Sequence, residues 1–286
     1  MEGRIYQVQR NCLQDGPGSR TTVYLAGCSL TCPWCRAPES QWQPREAVTT
    51  AMQCLHCGAS MTGCNLGEDP CLGCGDGLGT CAPAARAGLG WDVQPEELVA
   101  DLLRDRGAFQ RTGGGVTFSG GEPLAQTAFV AEVLGALRTQ GIHTALNTSG
   151  CARWKDLLRA SALADLVLFD LMFMDDRRHK AFTGRSNGRI LDNLRALARV
   201  HPAIWLRVPV IPGGNDDEDN LRAVAAFAAG MPAVQRVELR RFQGPEVARF
   251  DRLALNPLVE PEPASAGLMA AAAAAFRLEG LEVTVG

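Results

Sequence analysis

Three cysteines lie within eight residues in the stretch CSLTCPWC, at Cys28, Cys32 and Cys35. Thiolates at this spacing can converge on one metal centre. Three ligands leave one iron of a [4Fe–4S] cube open to an exogenous ligand, whereas structural zinc normally takes four protein ligands. The motif therefore predicts a cluster with an open iron; zinc or a noncatalytic cluster is the alternative.

A glycine-rich segment, TGGGVTFSGGEPLAQ, covers residues 112–126. Glycine lets the backbone approach a polar ligand closely and leaves N–H and C=O groups unshielded. Glu122 adds a carboxylate that suits a ligand's ammonium group. A plain tight turn would also explain the glycines, but their place at the end of the next predicted strand after the cysteine motif favours a binding loop.

Outside residues 51–90, short β-rich runs alternate with amphipathic segments. This alternation predicts parallel strands with right-handed crossovers, in a complete or partial barrel or in a doubly wound sheet. Both folds place ligand-binding residues at strand ends, where the two motifs lie. The predicted strands are 21–27, 116–119, 144–149, 166–171, 204–211 and 234–242, and the predicted helices are 95–107, 129–141, 152–164, 188–200, 217–230 and 264–276.

Composition narrows the class of protein. The chain has 286 residues, a net charge of -3 and no polybasic segment, so nucleic acid is not expected as a partner. The N-terminal MEGRIYQVQR has no apolar signal region, and the longest apolar tract is rich in alanine and too short to span a bilayer. We therefore expect a cytoplasmic protein without a membrane partner.

Ten of the eleven cysteines lie between Cys12 and Cys81, and six of them fall in residues 51–90. An odd number of cysteines without a signal peptide argues against a disulfide framework. A segment this long without helix or strand periodicity needs cross-links, which metal can supply. We expect two domains, a main domain of residues 1–50 and 91–286 and an inserted module of residues 51–90.

Several motifs in order resemble the radical S-adenosylmethionine (SAM) enzymes that activate glycyl radical enzymes. After DGPGSRTTVYLAGC and the cysteine motif come GGGVTFSGGEPL, TSG, DLVLFDL, HKAFTG, ILDNL and LRVPVIPGGND. The resemblance covers about residues 5–242 and implies an α/β fold, a partial TIM-type (β/α)6 barrel. It also implies a [4Fe–4S] cluster whose open iron binds SAM, a glycyl radical enzyme as protein substrate, and an electron donor such as flavodoxin or ferredoxin.

The resemblance assigns site residues to this chain. Arg207 would contact the SAM carboxylate or ribose, with a structural ion pair as the alternative. The implied cluster ligands are Cys28, Cys32 and Cys35, and the implied SAM or cluster contacts are Trp34, Arg36, Gly120, Gly121, Glu122, Asn147, Asp170, Met172, Arg207 and Gln243.

Residues 51–90 resemble the ferredoxin-like module of such activating enzymes. The usual C-x2-C-x2-C-x3-C half-motif appears twice, but Ser60 and Gly77 replace its third cysteine. Because the last cysteine of each half crosses to the other core, each core would have three thiolates. One or two auxiliary iron–sulfur clusters, zinc, a non-cysteine ligand or no assembly would each be compatible. The cores would be Cys54, Cys57 and Cys81, and Cys71, Cys74 and Cys64.

The sequence departs from the family where SAM would be held. His-Asn after the third cysteine becomes Arg36-Ala37, and an aspartate, a lysine and a histidine become Asn147, Met172 and Gln243. In the family, that lysine and histidine hold the SAM carboxylate, and aspartates at positions 147 and 170 surround a monovalent cation. Either Arg36, Arg240 or Arg241 replaces the lost cation, or the chain binds cluster and partner without efficient SAM cleavage. A radical SAM enzyme with another substrate is a third reading.

Overall fold

The computed structural model describes residues 1–35, 40, 90–243 and 262–286. The inserted module and Arg36 lie outside the described residues. The strands are β1 (Gly3–Cys12), β2 (Arg20–Leu25), β3 (Trp91–Val93), β4 (Gly115–Gly120), β5 (Thr144–Thr148), β6 (Leu166–Asp170), β7 (Ile204–Val210), β8 (Val234–Arg241) and β9 (Val283–Val285). The helices are α1 (Pro95–Leu102), α2 (Arg106–Thr112), α3 (Thr127–Thr139), α4 (Trp154–Ser161), α5 (Asp176–Thr183), α6 (Gly188–Leu197), α7 (Glu218–Ala229) and α8 (Ala266–Leu278).

All nine strands belong to one sheet, in the order β3-β1-β2-β4-β5-β6-β7-β8-β9. From β2 to β9 every neighbouring pair is parallel, whereas β1 pairs antiparallel with both β2 and β3. In the described part of the chain β3 and β9 remain the two edges of the sheet, so the barrel is incomplete. The predicted α/β partial barrel is confirmed.

All six predicted strands are present, with ends moved by a few residues. The helices expected around α1, α3, α4, α6, α7 and α8 are present as well. Five elements were missed, namely β1, β3, β9, α2 and α5, and α2 lies almost entirely beyond the predicted helix 95–107. Strands β3 and β9 have three residues each, β1 lacks regular alternation, and α5 is strongly polar.

The two faces of the sheet differ in chemistry. The face toward the helices is apolar; on α3, for example, Val130, Val133, Leu134 and Leu137 recur at helical spacing and are buried against it. The face toward the barrel interior is apolar at the start of the strands, where Ala145, Leu166 and Leu168 cluster, and polar at their carboxyl ends. This gradient confines polar chemistry to one end of the barrel.

Helix starts follow the local sequence. Asp175, Asp217 and Ser265 cap α5, α7 and α8 by accepting hydrogen bonds from backbone N–H groups of the first turn. Within the described ranges, no helix is both long enough and apolar enough to cross a bilayer.

Candidate active site at the carboxyl ends of the strands

The cysteine loop begins where β2 ends. Gly27 anchors its start, because its N–H donates to the carbonyl of Ser40 at 2.7 Å and its own carbonyl accepts from the N–H of Glu122 at 2.7 Å. Later in the loop, the N–H of Cys35 donates to the carbonyl of Cys32 at 3.1 Å, which forms a turn between the last two cysteines. The structure thus places all three predicted ligands on one short loop at the carboxyl end of a strand.

The three thiols favour a cationic ligand. Burial, followed by the nearby Glu122 carboxylate, raises the pKa of Cys28 to about 12. Burial and the neighbouring cysteines also raise the pKa of Cys32 well above its usual value. Thiolates therefore persist there only when a metal balances their charge, and three soft sulfur donors fit an iron–sulfur cluster. Among the described residues, no three His, Cys, Asp or Glu side chains are grouped as they would be around a metal ion.

The second predicted motif lies against the first. The N–H of Gly121 donates to the carbonyl of Leu25 at 2.9 Å, beside the contact between Glu122 and Gly27. Gly120 has a φ of +116°, and a Cβ there would lie 2.3 Å from the backbone nitrogen of Leu25. A Cβ on Gly121 would lie 2.3 Å from the carbonyl oxygen of Gly27. Only glycine permits this close approach of the two loops.

The Glu122 carboxylate points into the protein and joins a third loop. One oxygen accepts from Thr148 Oγ1 at 2.6 Å and from the N–H of Leu124 at 3.2 Å. The other accepts from the N–H and the hydroxyl of Ser149, at 2.9 and 2.6 Å. Although burial raises the pKa of Glu122, these four bonds favour the anion. The side chain therefore connects the ends of β4 and β5.

A polar chain crosses the barrel interior just below these loops. The amide of Asn147 donates to Asp170 at 2.6 Å and accepts a short hydrogen bond from Arg207. Asp170 and Arg207 are direct partners in the pairing of β6 with β7. Burial raises the pKa of Asp170 to about 6, although Arg207 and the Asn147 amide both act to lower it.

Most hydrogen-bond donors of the Arg207 guanidinium already have acceptors within the protein. Its guanidinium pairs with Asp15 at 3.3 Å and with Glu238 at 2.9 Å, and it also donates to the carbonyl of Gln14. Nearby charges, led by Asp15, raise its pKa against the effect of burial, which alone would lower it. The structure shows the ion pair that was one of the two roles considered for Arg207.

Arg240 and Arg241 are neighbours in β8, and their side chains lie on opposite sides of the strand. Arg240 donates to the carbonyl and side-chain oxygens of Gln14, at 2.8 and 3.2 Å, on the barrel-facing side of the strand. Arg241 donates to the carbonyl of Ala264, before α8, at 2.6 Å. In the part of the chain that the structure describes, Arg240 forms no ion pair within 4 Å. Of the two, only Arg240 can supply a cation to the interior.

An aromatic cluster lines the other side of the cysteine loop. The ring of Trp34 lies 5.9 Å from Phe173 and 5.4 Å from Phe182, and Cys32 and Met172 pack against the same group. Trp34 is 6% exposed, and its indole N–H has no hydrogen-bond partner among the described residues. Trp34 is thus a buried residue of the cysteine loop itself, and its contact with a bound cluster stays a prediction.

Two asparagines hold the loop after β6. Asn215 belongs to the LRVPVIPGGND motif, and Asn220 lies in α7, the helix that follows this motif. Asn215 and Asn220 each donate to the carbonyl of Met172, at 3.1 and 3.0 Å. Asn215 is fully buried and also bonds to Ile211 and Pro209. The backbone of Met172 is therefore held in place by these two asparagines. Gln243, two residues after the end of β8, is exposed.

The sequence alone indicated no role for several residues that the structure places at the site. Gln14, Thr148, Ser149 and Glu238 became visible only through their partners. The stretches DGPGSR and TSG marked the right segments, but contacts such as the one between Asp15 and Arg207 join residues far apart in the chain. The curvature of the sheet, which brings the segment between β1 and β2 close to β7 and β8, was the missing information.

Comparison with known proteins agrees with this geometry. A model of the radical SAM superfamily matches residues 22–224. Isethionate sulfite-lyase activating enzyme of Oleidesulfovibrio alaskensis is 34% identical over 299 residues, covering 97% of each chain. Pyruvate formate-lyase 2-activating enzyme of Escherichia coli is 33% identical and covers 99% of this chain and 92% of its own.

A solved structure is similar as well. A domain of pyruvate-formate lyase-activating enzyme from Bacteroides vulgatus has a TM-score of 0.52 and 30% identity, and it covers 60% of this chain and 99% of that one. A radical SAM methyltransferase from Sphaerobacter thermophilus, at 15% identity and a TM-score of 0.55, shares the fold. The chain therefore belongs to the radical SAM superfamily and, within it, to the activating enzymes of glycyl radical enzymes.

Proposed function

We propose that this chain uses Cys28, Cys32 and Cys35 to hold a [4Fe–4S] cluster and the adjoining loops to hold SAM. When bound, the cluster supplies one electron that cleaves SAM to methionine and a 5′-deoxyadenosyl radical, which takes a hydrogen atom from a glycine of the partner enzyme. The observation that carries the proposal is the contact between the cysteine loop and the turn at Gly120–Glu122, through Gly27.

The chain's own residues position and enclose the site. In this proposal the turn at Gly120 and Gly121 contacts the methionyl part of SAM, and Glu122 keeps that turn in place through Thr148 and Ser149. The aromatic cluster around Trp34 excludes water from the cysteine loop. Asn147, Asp170, Met172 and Gln243 would line the rest of the SAM site.

Arg240 is our candidate for the cation that replaces the lost lysine and histidine. Of Arg240 and Arg241 it is the one that faces the interior, and its present acceptors are the neutral oxygens of Gln14. A carboxylate is a stronger acceptor than either of these oxygens. Arg36, another arginine that could supply the cation, lies outside the described residues.

The proposal also includes a protein substrate, an electron donor, auxiliary clusters and a location in the cell. The protein substrate is a glycyl radical enzyme, and a flavodoxin or ferredoxin supplies the electron. Cys54, Cys57 and Cys81, together with Cys64, Cys71 and Cys74, hold one or two auxiliary iron–sulfur clusters in the module of residues 51–90. A cytoplasmic location stays a prediction from the sequence.

The test is a cleavage assay on the full chain. The protein is reconstituted with iron and sulfide, reduced and mixed with SAM, and 5′-deoxyadenosine is measured. We expect product from the wild type and none from Cys32→Ala. If a fully loaded wild type forms no product, the activase proposal fails and a relative that binds the cluster without cleaving SAM is supported; Met172→Lys with Gln243→His would then restore cleavage if those positions are the cause.

A further inference from the structure

Each of the three cluster cysteines has a chain neighbour that is held by one segment, residues 182–185, at the end of α5. Ser29 follows Cys28, Thr31 precedes Cys32, and Trp34 precedes Cys35. We call residues 182–185 the brace. Its first three residues end the HKAFTG motif (179–184), to which the sequence assigned no role, and Arg185 follows that motif directly.

The contacts between brace and loop are specific. The N–H of Thr31 donates to the carbonyl of Thr183 at 3.0 Å. Arg185 Nε donates to the carbonyl of Ser29 at 3.2 Å. The ring of Phe182 lies 5.4 Å from that of Trp34. Two hydrogen bonds and one aromatic contact therefore fix the loop at three points, one beside each cysteine.

The brace and the loop also approach each other too closely for a larger residue. Gly184 has a φ of +75° and ends α5, and a Cβ on it would lie 2.8 Å from Thr31 Oγ1. A side chain here would both strain the backbone and push the loop away. The glycine of HKAFTG is thus required by the loop as well as by the helix end.

The brace is itself held from below. His179 is 2% exposed, and its Nδ1 lies 2.7 Å from the carbonyl oxygen of Arg185, so Nδ1 is the nitrogen that carries the proton. The hydroxyl of Thr183 donates to the carbonyl of His179 at 2.8 Å. Phe182 stacks on Phe173 at 5.3 Å. None of these three contacts is made to the cysteine loop, so residues 182–185 have supports of their own.

We propose that the brace is a positioning device for cluster assembly: Phe182, Thr183 and Arg185 order the backbone around Cys28, Cys32 and Cys35 before iron and sulfide arrive. This inference rests on the proposed cluster at these cysteines. Metal binding that must also order a loop loses part of its free energy to that ordering. With the backbone fixed in advance, only the cysteine side chains need to turn, so the cluster is gained more readily and lost more slowly.

The test compares two full-length variants that each remove one positive charge from the same region. Arg185→Gln removes the donor to Ser29, and Arg177→Gln removes an exposed arginine of α5. Each protein is loaded with iron and sulfide without oxygen, and an iron chelator is added. At intervals the protein is reduced, and the EPR signal that changes on addition of SAM is measured. Any SAM-dependent change that remains in Cys32→Ala comes from clusters in residues 51–90, and it is subtracted from the signal of each protein.

We expect Arg185→Gln to lose this signal about tenfold faster than the wild type, the effect of one charge-assisted hydrogen bond, and Arg177→Gln to match the wild type. Equal rates in all three proteins would overturn the inference. Melting of the cluster-free proteins is recorded as well. If Arg185→Gln melts at a lower temperature than the wild type, the test uses Phe182→Leu instead, which keeps an apolar side chain and removes only the aromatic contact. A wild-type rate of cluster release in Phe182→Leu would also overturn the inference.

The two proposals fail in different ways. If the wild type itself shows no SAM-responsive signal after loading, the proposed function fails. If the wild type shows the signal and the brace variants release it at the wild-type rate, only the role of the brace is wrong.

Discussion

The side-chain amide of Asn147 donates to Asp170 at 2.6 Å and accepts from Arg207. A single neutral residue therefore connects an anion on β6 with a cation on β7. An aspartate at position 147 would keep the contact with Arg207 but would face Asp170 with a second negative charge. The exchange of aspartate for asparagine thus turns an expected cation site into a closed hydrogen-bonded chain.

We expect Asn147→Asp to make the fold sensitive to monovalent cations. Two carboxylates at hydrogen-bond distance repel each other unless one takes a proton or a cation binds between them. In a buffer with only a bulky organic cation, the melting temperature should fall by several degrees, and sodium or potassium chloride should restore it. Asn11→Asp adds the same charge on the surface and should show no such difference between cations. A cation-independent melting temperature for Asn147→Asp would rule out this account.

Asp170 should make stability depend on pH. Its pKa is about 6 in the folded protein, because of burial, against an ordinary value of 3.8. The folded state therefore binds its proton more tightly, so stability is lost as pH rises from about 4 to about 6 and the loss is complete above that. Asp170→Asn removes this term. In urea titrations, its free energy of unfolding relative to the wild type should rise across that window and then level off. Exposed Asp192→Asn should give a flat difference; a flat difference for Asp170→Asn would show that its pKa is ordinary.

Glu122→Gln should destabilise the protein by about 2–3 kcal/mol in urea unfolding, since hydrogen bonds to charged groups contribute about 1.5–3 kcal/mol each and part of the loss is recovered by the remaining oxygen. The amide nitrogen that replaces one carboxylate oxygen cannot accept from the N–H and hydroxyl of Ser149. Glu132→Gln, on the exposed side of α3, serves as the control and should change stability by less than about 0.5 kcal/mol. Similar small effects at both positions would mean that the link between β4 and β5 is unimportant for stability.

Arg240→Gln should weaken SAM binding about tenfold, the size expected for one charge-assisted hydrogen bond to a carboxylate. Binding is measured by calorimetry on the oxidised, cluster-loaded protein, so that no turnover is needed. Arg241→Gln removes the same charge from the side of β8 that contacts Ala264, and it should bind SAM like the wild type. Equal losses in both variants would point to a general electrostatic effect, and no loss in either would remove Arg240 from the site.

The sequence predicted the order of strands and helices well because most of the fold is built from local units. Most parallel strands are followed by an amphipathic helix, as β4 is by α3: the strand is a short buried run, and the helix carries an apolar face at helical spacing. The short edge strands β3 and β9 have three residues each, too few for a pattern. The alternation of β1 is obscured because its pairing with β2 contains register shifts.

The candidate site was predicted in part for a similar reason. Cys28, Gly120 and Glu122 stood out because their types and spacing are unusual within short motifs. The partners that hold them did not, since Ser149 and Thr183 are ordinary residues whose importance comes from what the fold brings beside them. Glu122 shows the difference: its presence was predicted, but its bonds to Thr148 and Ser149 follow only from the pairing of β4 with β5.

The contacts of Gln14 and Asp15 with Arg207 and Arg240 bear on how the chain is made. They join residues 192 to 226 positions apart, and no neighbouring strand pair provides this connection. On a ribosome, β1 and β2 emerge long before β7 and β8. The segment between β1 and β2 therefore cannot contact Arg207 and Arg240 until the intervening strands have been synthesised. Since closing such long loops slows folding, the interior of this barrel is completed only after β8, with Arg240, has been synthesised.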